Sequence, residues 1–218
     1  MDFKGIDLPP VLFITGIDTD AGKSYATGWL AARMMDAGLD VITQKFVQTG
    51  NVGSSEDIEV HRSIMGTGML PEDLDHTTAP VIFTYPASAD LAARIDGRGL
   101  NFDLISQCTR KLSDRHGHVL VEGAGGLMVP LKKHYLTIDY IRENKLPAVL
   151  VTNGRLGSIS HTLLALDALK SRGIPLFAVI YNSHFDKDAV ICNDTKQYIQ
   201  GWLKEYFPDA LYIEMPSI

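Results

Sequence analysis

Short apolar runs alternate with segments of helical period along almost the whole chain. The runs are residues 11–15, 41–45, 118–122, 148–152, 176–182 and 211–214. Val119-Leu120-Val121 and Val149-Leu150-Val151 are continuous apolar stretches, with no apolar–polar alternation. Strands covered on both faces read this way, and a parallel sheet between two helical layers supplies such strands. Between the runs, residues 22–37 place Ala26, Trp29, Leu30, Arg33 and Met34 on one helical stripe that stops at Gly38, a residue suited to a left-handed helix end. Ile159, Leu163, Leu166 and Leu169 recur at the same spacing before Gly173. Residues 50–55 and 77–89 read as long functional loops. The pattern predicts an α/β protein: a mostly parallel central sheet flanked by helices on both faces.

Composition narrows the class without changing the fold. The 218 residues are 45% hydrophobic and 21% charged, ordinary globular values that exclude a disordered or collagen-like chain. No internal repeat or linker divides them, so residues 1–218 read as a single domain. Twenty basic residues face 26 acidic ones for a net charge of −6, with no Lys/Arg block, which argues against a nucleic-acid partner. An anionic ligand must therefore be held by local features. Cys108 and Cys192 are far apart and lack the spacing of a zinc site or a disulfide framework. With no apolar run of membrane-spanning length and no signal-peptide pattern, the expectation is a soluble, cytoplasmic protein without a membrane partner.

The first run leads directly into Gly16-Ile17-Asp18-Thr19-Asp20-Ala21-Gly22-Lys23-Ser24 and then into the first amphipathic helix. Strand, glycine-containing turn and helix form the context of a phosphate-binding loop. Glycines let successive backbone N–H groups turn toward phosphate oxygens, and the helix start adds its positive end. A lysine at position 23 reaches the β- and γ-phosphates, and a serine at 24 can ligate Mg²⁺. Five residues separate the two glycines, one more than in the plain G-x-x-x-x-G-K-[ST] pattern. The reading therefore rests on Gly22-Lys23-Ser24 and its flanking elements.

Four segments in order resemble the dethiobiotin synthetase family. The loop at 16–24 is similar to the family's G-T-D-T-x-V-G-K-T, with Ile17, Ala21 and Ser24 as departures. Lys45-Phe46-Val47-Gln48-Thr49-Gly50 resembles K-P-V-x-[ST]-G. Residues 122–130, Glu122-Gly123-Ala124-Gly125-Gly126-Leu127-Met128-Val129-Pro130, resemble E-G-A-G-G-x-x-x-P. Leu156-Gly157-Ser158-Ile159-Ser160-His161 resembles L-G-x-I-N-H. The resemblance implies a P-loop NTPase-like fold and an ATP- and Mg²⁺-dependent ring closure. In it, 7,8-diaminononanoate and CO₂ give a carbamate that accepts the γ-phosphoryl group, and the second amine then closes the cyclic urea to dethiobiotin in biotin synthesis.

It also implies roles by position. Lys23, Lys45 and Thr19 would be catalytic. Asp20, Ala21, Gly22, Lys23, Ser24 and Tyr25, with Glu122 and Asn182, would hold ATP. Lys45, Thr19 and Thr49 would face the substrate, together with Gly157, Ser158 and Ser160, which serve the neighbouring subunit's site and so imply a homodimer. Ser24, Asp57 and Glu122 would surround Mg²⁺. From the residues alone, Lys45 is equally a solvated strand-end lysine. Glu122, at the end of an apolar strand, needs a cationic partner to be buried. Ser54-Ser55-Glu56-Asp57 also reads as a helix cap with acids in the first turn, which leaves Glu56 as a rival to Asp57. Asn182 is either an adenine reader or a turn former. Within 85–94, Asp90 and Ala89 depart from the family's usual His and Pro, and Ser160 replaces its usual Asn. Two other classes share the fold and loop. Amide-forming synthetases of cobyrinate type would carry a glutaminase domain, and nucleotide-switch ATPases of partition type would carry a further lysine near the first glycine, where Ile17, Asp18 and Thr19 stand.

Overall fold

The computed structural model describes Phe3 and residues 5–218. Strand β1 (Val11–Gly16) is followed by α1 (Lys23–Asp36), β2 (Val41–Lys45), the short β3 (Gln48–Thr49), α2 (Glu56–Met65), α3 (Pro71–Leu74) and β4 (Ile82–Phe83). Then come α4 (Ala89–Ile95), α5 (Phe102–Ser113), β5 (His118–Gly126), the hairpin β6 (Pro130–Lys132) and β7 (Tyr135–Leu136), and α6 (Thr137–Glu143). Next are β8 (Ala148–Asn153), α7 (Ser158–Ser171), β9 (Leu176–Asn182), a 3₁₀ turn (Ser183–Phe185), α8 (Ala189–Tyr206) and β10 (Leu211–Met215). Six strands form one parallel sheet in the order β10-β9-β8-β1-β5-β2.

Alternation along each strand explains the two-sided core. Phe13, Val119, Val121, Leu150 and Val179 point to one face, where they meet Ile105, Ile138, Ile141, Leu166 and Ile199 from α5 to α8. Leu12, Ile14, Leu120, Val149 and Ile180 point to the other, against Ala26, Leu30 and Met34 of α1 and Met65 of α2. Both parities of an apolar run are thus buried, and each such side chain contributes about 1.5–3 kcal/mol.

Several elements differ from the sequence reading. Glu122 does not end its strand, because β5 runs on to Gly126 and pairs there with Gly16. The segment 77–89 contains β4, which pairs with β3. Arg33 is half-exposed and pairs with Asp36 at 3.1 Å instead of joining the core stripe. The chain leaves β1 for β2 on one side and passes from β8 to β9 and β10 on the other. The carboxyl edge beside β1 is therefore a topological switch point, where ligands sit in open α/β sheets.

Candidate functional site

Gly16 and Gly22 allow the turn that builds the site. A Cβ on Gly16 would lie 3.1 Å from Ala21 Cβ, Asp18 O and Lys23 Cγ, so the loop folds tightly onto its own start. Gly22 adopts φ 85°, the left-handed region, and its carbonyl accepts the Ala26 N–H at 2.9 Å to begin α1. Lys23 folds back across the loop and donates to the carbonyls of Asp18 (2.9 Å) and Thr19 (3.0 Å).

Three rigid elements bring charged groups to the lip of this loop. Lys45, the last residue of β2, donates to Asp57 Oδ2 (2.5 Å), Glu122 Oε1 (2.7 Å) and the Gly123 carbonyl (3.2 Å), which uses all three of its N–H bonds. Glu122 is fully buried on β5. Its Oε2 meets His61 Nε2 at 2.6 Å, and His61 Nδ1 lies 3.0 Å from Thr43 Oγ1. Asp57 comes from the first turn of α2, whose start is capped by Ser55 accepting the Ile58 N–H at 3.3 Å. Glu56 points outward, so of the two acids only Asp57 reaches the cluster.

Burial opposes every charge here, and the partners decide the outcome. Glu122 is pushed up by burial, but Lys45 and His61 outweigh it and hold the carboxyl well below the usual range. Lys45 is likewise opposed by burial, yet Glu122 and Asp57 raise it above an ordinary lysine. Lys23 is lowered, chiefly by burial, and the positive charge of Lys45 adds to that.

Ser24 Oγ lies 2.8 Å from Asp57 Oδ1 and 2.9 Å from Glu122 Oε1. One hydroxyl proton cannot satisfy both carboxylates at once, so three oxygens converge on one spot, with the Lys45 ammonium beside it. Such a hard-oxygen donor set fits a Mg²⁺-type ion that takes one or two carboxylates and draws its other ligands from water and phosphate. No group of three or more His, Cys, Asp or Glu suited to a metal occurs among the described residues, so the protein alone would not cage an ion here.

These groups line one side of a cleft of about 540 Å³. Thr19, Asp20, Gly22, Lys23, Ser24, Tyr25, Lys45, Thr49, Asp57, Glu122 and Asn182, all singled out in the sequence, border it. Ala21 does not: it is wholly buried and contributes its carbonyl, which accepts from Asn182 Nδ2 at 3.3 Å. Asn182 also accepts the His184 N–H at 3.0 Å, so its carboxamide ties the phosphate loop to the 3₁₀ turn. Gly157, Ser158 and Ser160 lie at the start of α7 and outside this cleft. Asp90 faces Arg94 at 3.2 Å and is also outside it. Sequence reasoning missed His61 and Thr43, although His61 falls one helical turn beyond Asp57, where the α2 period could have found it. It also missed the far wall, where Arg155 covers the Phe185 ring at 3.8 Å beside Met215 and Ile218.

A parallel sheet whose central strand runs through a glycine-flanked loop into a helix, with lysine and serine at the helix start, defines a P-loop nucleotide-binding protein. A family model described as "AAA domain" matches residues 11–204. The chain is 45% identical over 208 residues to ATP-dependent dethiobiotin synthetase BioD 2 of Pasteurella multocida (strain Pm70), covering 95% of this chain and 98% of that protein. It is 46% identical over 206 residues to ATP-dependent dethiobiotin synthetase BioD of Chlorobaculum tepidum, covering 94% and 86%. This chain belongs to the dethiobiotin synthetase family. Among solved structures, chloroplast FtsY from Physcomitrella patens is similar with TM-score 0.55 at 17% identity, covering 95% of this chain and 58% of that longer one. A ParA family ATPase from Chlorobium tepidum is similar with TM-score 0.53 at 16% identity, covering 96% and 85%. At such identities these two likenesses fix the fold alone.

Proposed function

We propose that this chain is an ATP-dependent dethiobiotin synthetase, closing the ring of 7,8-diaminononanoate with CO₂ and releasing ADP and phosphate. The observation that carries the reading is the convergence of Lys45, Asp57, Glu122 and Ser24 at the open lip of the Lys23 loop. A carbamate attacking a triphosphate brings anions together, and a site for it must supply cations in fixed positions more than covalent help. Lys45 is held by three acceptors on two elements, α2 and β5, so its ammonium is aimed before substrate arrives. In this reading its charge aligns the carbamate oxygen with the γ-phosphorus. Lys23 exchanges its two loop carbonyls for phosphate oxygens. Thr19 and Thr49 border the cleft where the diamine and its carbamate would lie. Asp20, Gly22 and Tyr25 frame the nucleotide, and Asn182 fixes the wall beside it. Ser24, Asp57 and Glu122 would hold Mg²⁺, whose chemistry is neutralisation of the developing phosphate charge.

The working unit is inferred to be a homodimer of single-domain subunits. Leu156 before α7 and Leu164 in its middle are 89% and 67% exposed, apolar side chains on the same element as Gly157, Ser158 and Ser160. Covering those two side chains with a second copy would bring the α7 backbone N–H groups to the partner's cleft. No helix among the described residues is long and apolar enough to cross a membrane. Free Cys108 and Cys192 suit the reducing cytoplasm, and the net charge of −6 disfavours nucleic acid.

The test is ADP release with and without 7,8-diaminononanoate and bicarbonate, with mass spectrometric detection of the cyclic urea. Diamine-dependent ADP and dethiobiotin are expected. Turnover indifferent to the diamine would overturn the proposal.

A further inference from the structure

Glu122 has two carboxylate oxygens with different company. Oε1 receives Lys45 and lies against Ser24, on the side that faces the cleft. Oε2 has one partner, His61 Nε2, at 2.6 Å. His61 is completely buried, and so is Thr43, whose hydroxyl oxygen lies 3.0 Å from His61 Nδ1. The Thr43 oxygen already accepts the Arg62 Nη1–H at 2.9 Å. Arg62 is in turn clamped by both oxygens of Asp73, each at 2.8 Å. A row of hydrogen bonds therefore runs from Asp73 through Arg62, Thr43 and His61 to Glu122.

Donor counting gives this row a direction. With Arg62 donating to it, the Thr43 hydroxyl has its own proton to give, and His61 Nδ1 is the acceptor within reach. His61 Nδ1 is then bare and Nε2 carries the ring proton, which points at Glu122 Oε2. The opposite tautomer would set a lone pair against a carboxylate and leave the Thr43 proton without an acceptor.

We propose that His61 is a positioning residue that locks the rotation of the Glu122 carboxylate, so that Oε1 is presented to the divalent cation at Ser24. This rests on the reading of Ser24, Asp57 and Glu122 as the metal-facing set. Partners behind a ligating carboxylate commonly account for about 10–100-fold in metal affinity or activity.

The test uses the full chain with Mn²⁺ as the probe, titrated by electron paramagnetic resonance in the presence of ADP. His61→Leu should weaken Mn²⁺ binding about tenfold or more, while ADP affinity measured in a chelator stays at the wild-type value. His61→Gln, whose amide can still donate to Oε2, should recover most of the loss. Glu122→Gln separates the two layers of the reading. If it binds Mn²⁺ as tightly as wild type, the metal-facing set itself is wrong. If it is impaired while His61→Leu is not, His61 alone has been misassigned. A readout independent of any variant is nitrogen NMR of the wild-type imidazole, expected to show a protonated Nε2 and a bare Nδ1. A ring protonated on Nδ1 alone would also overturn the proposal.

Discussion

Replacing Lys45 with Met removes the cation that touches both acidic groups of the site, and its effect on stability can be worked from the geometry. The ammonium lies 2.5 Å from Asp57 Oδ2 and 2.7 Å from Glu122 Oε1. At an effective dielectric of ~20, a unit-charge pair at the second separation attracts by ~6 kcal/mol, most of which is offset by desolvation of the ammonium. Stripping one partner from a buried pair costs more than the pair is worth, about 3–5 kcal/mol, because the remaining charge stays buried. Lys23 remains nearby and partly compensates, which puts the expectation at the lower end of that range. The sharper consequence is the sign of the double variant. Lys45→Met with Glu122→Gln no longer buries a bare carboxylate, so it should be more stable than Lys45→Met alone by about 2 kcal/mol. Urea unfolding at neutral pH, with equal slopes for all variants, measures this directly. A double variant no more stable than the single one would refute the claim that Lys45 exists to neutralise Glu122. In turnover the single variant should lose about 10²–10³ of the rate.

Asp57→Asn should abolish diamine-dependent ADP release while Glu56→Gln leaves it at the wild-type rate, because of these two neighbours Asp57 alone touches Ser24 and Lys45; initial-rate kinetics on the two variants decides it. Gly22→Ala places a Cβ at φ 85° against the Asn182 carboxamide, which should cost about 1–2 kcal/mol of stability and lower ADP affinity, read by thermal unfolding and calorimetry. Glu122 titrates below its unfolded value, so its contribution is complete above pH ~4.3 and fades as pH falls; Lys45 is raised, so its contribution is complete below pH ~10.4 and fades as pH rises. Denaturation midpoints across pH should therefore form a plateau between those limits, and the Lys45→Met, Glu122→Gln chain should lose much of the acid limb. Away from the site, the Thr77 hydroxyl, the Thr77 N–H and Lys111 hold the Asp75 carboxyl at about 2, and Thr77→Val should move its midpoint upward in a carbon NMR titration.

The six sheet strands were legible because each carries a short apolar stretch set between segments of helical period. The phosphate loop was legible because Gly22-Lys23-Ser24 sits between a strand and a helix, and local order is all that it needs. Glu122 was found for a sound reason with a wrong boundary: β5 continues past it because, after a register shift, Gly126 still pairs with Gly16 of β1. The far wall of the cleft was invisible, since Arg155, Phe185 and Ile218 meet only through the tertiary arrangement of three separate segments. His61 lay between these cases. Its helical spacing from Asp57 was readable, but its contact with Glu122 depends on how α2 packs against α1 and β2. Lone buried histidines are more often structural, so the spacing alone would not have distinguished it.

The charge count at the cleft explains why these residue types are gathered and why they need help. Lys23, Lys45 and Arg155 contribute three positive charges, and Asp20, Asp57 and Glu122 contribute three negative ones, in a chain whose net charge is −6. Nothing in that sum attracts a triphosphate from a distance. Affinity must then come from directed loop N–H groups and from a cation arriving with the nucleotide, for which the Ser24, Asp57 and Glu122 oxygens supply the seat. Moving one carboxylate away would make the site cationic and better for nucleotide alone, but it would empty that seat. The two acids thus weaken simple anion binding in order to make it conditional on the metal. On this reasoning Glu122→Gln should bind ADP more tightly than wild type in a chelator and more weakly in excess Mg²⁺. A wild-type chain whose ADP affinity is the same with and without Mg²⁺ would contradict it, and calorimetry in the two buffers is sufficient to see the difference.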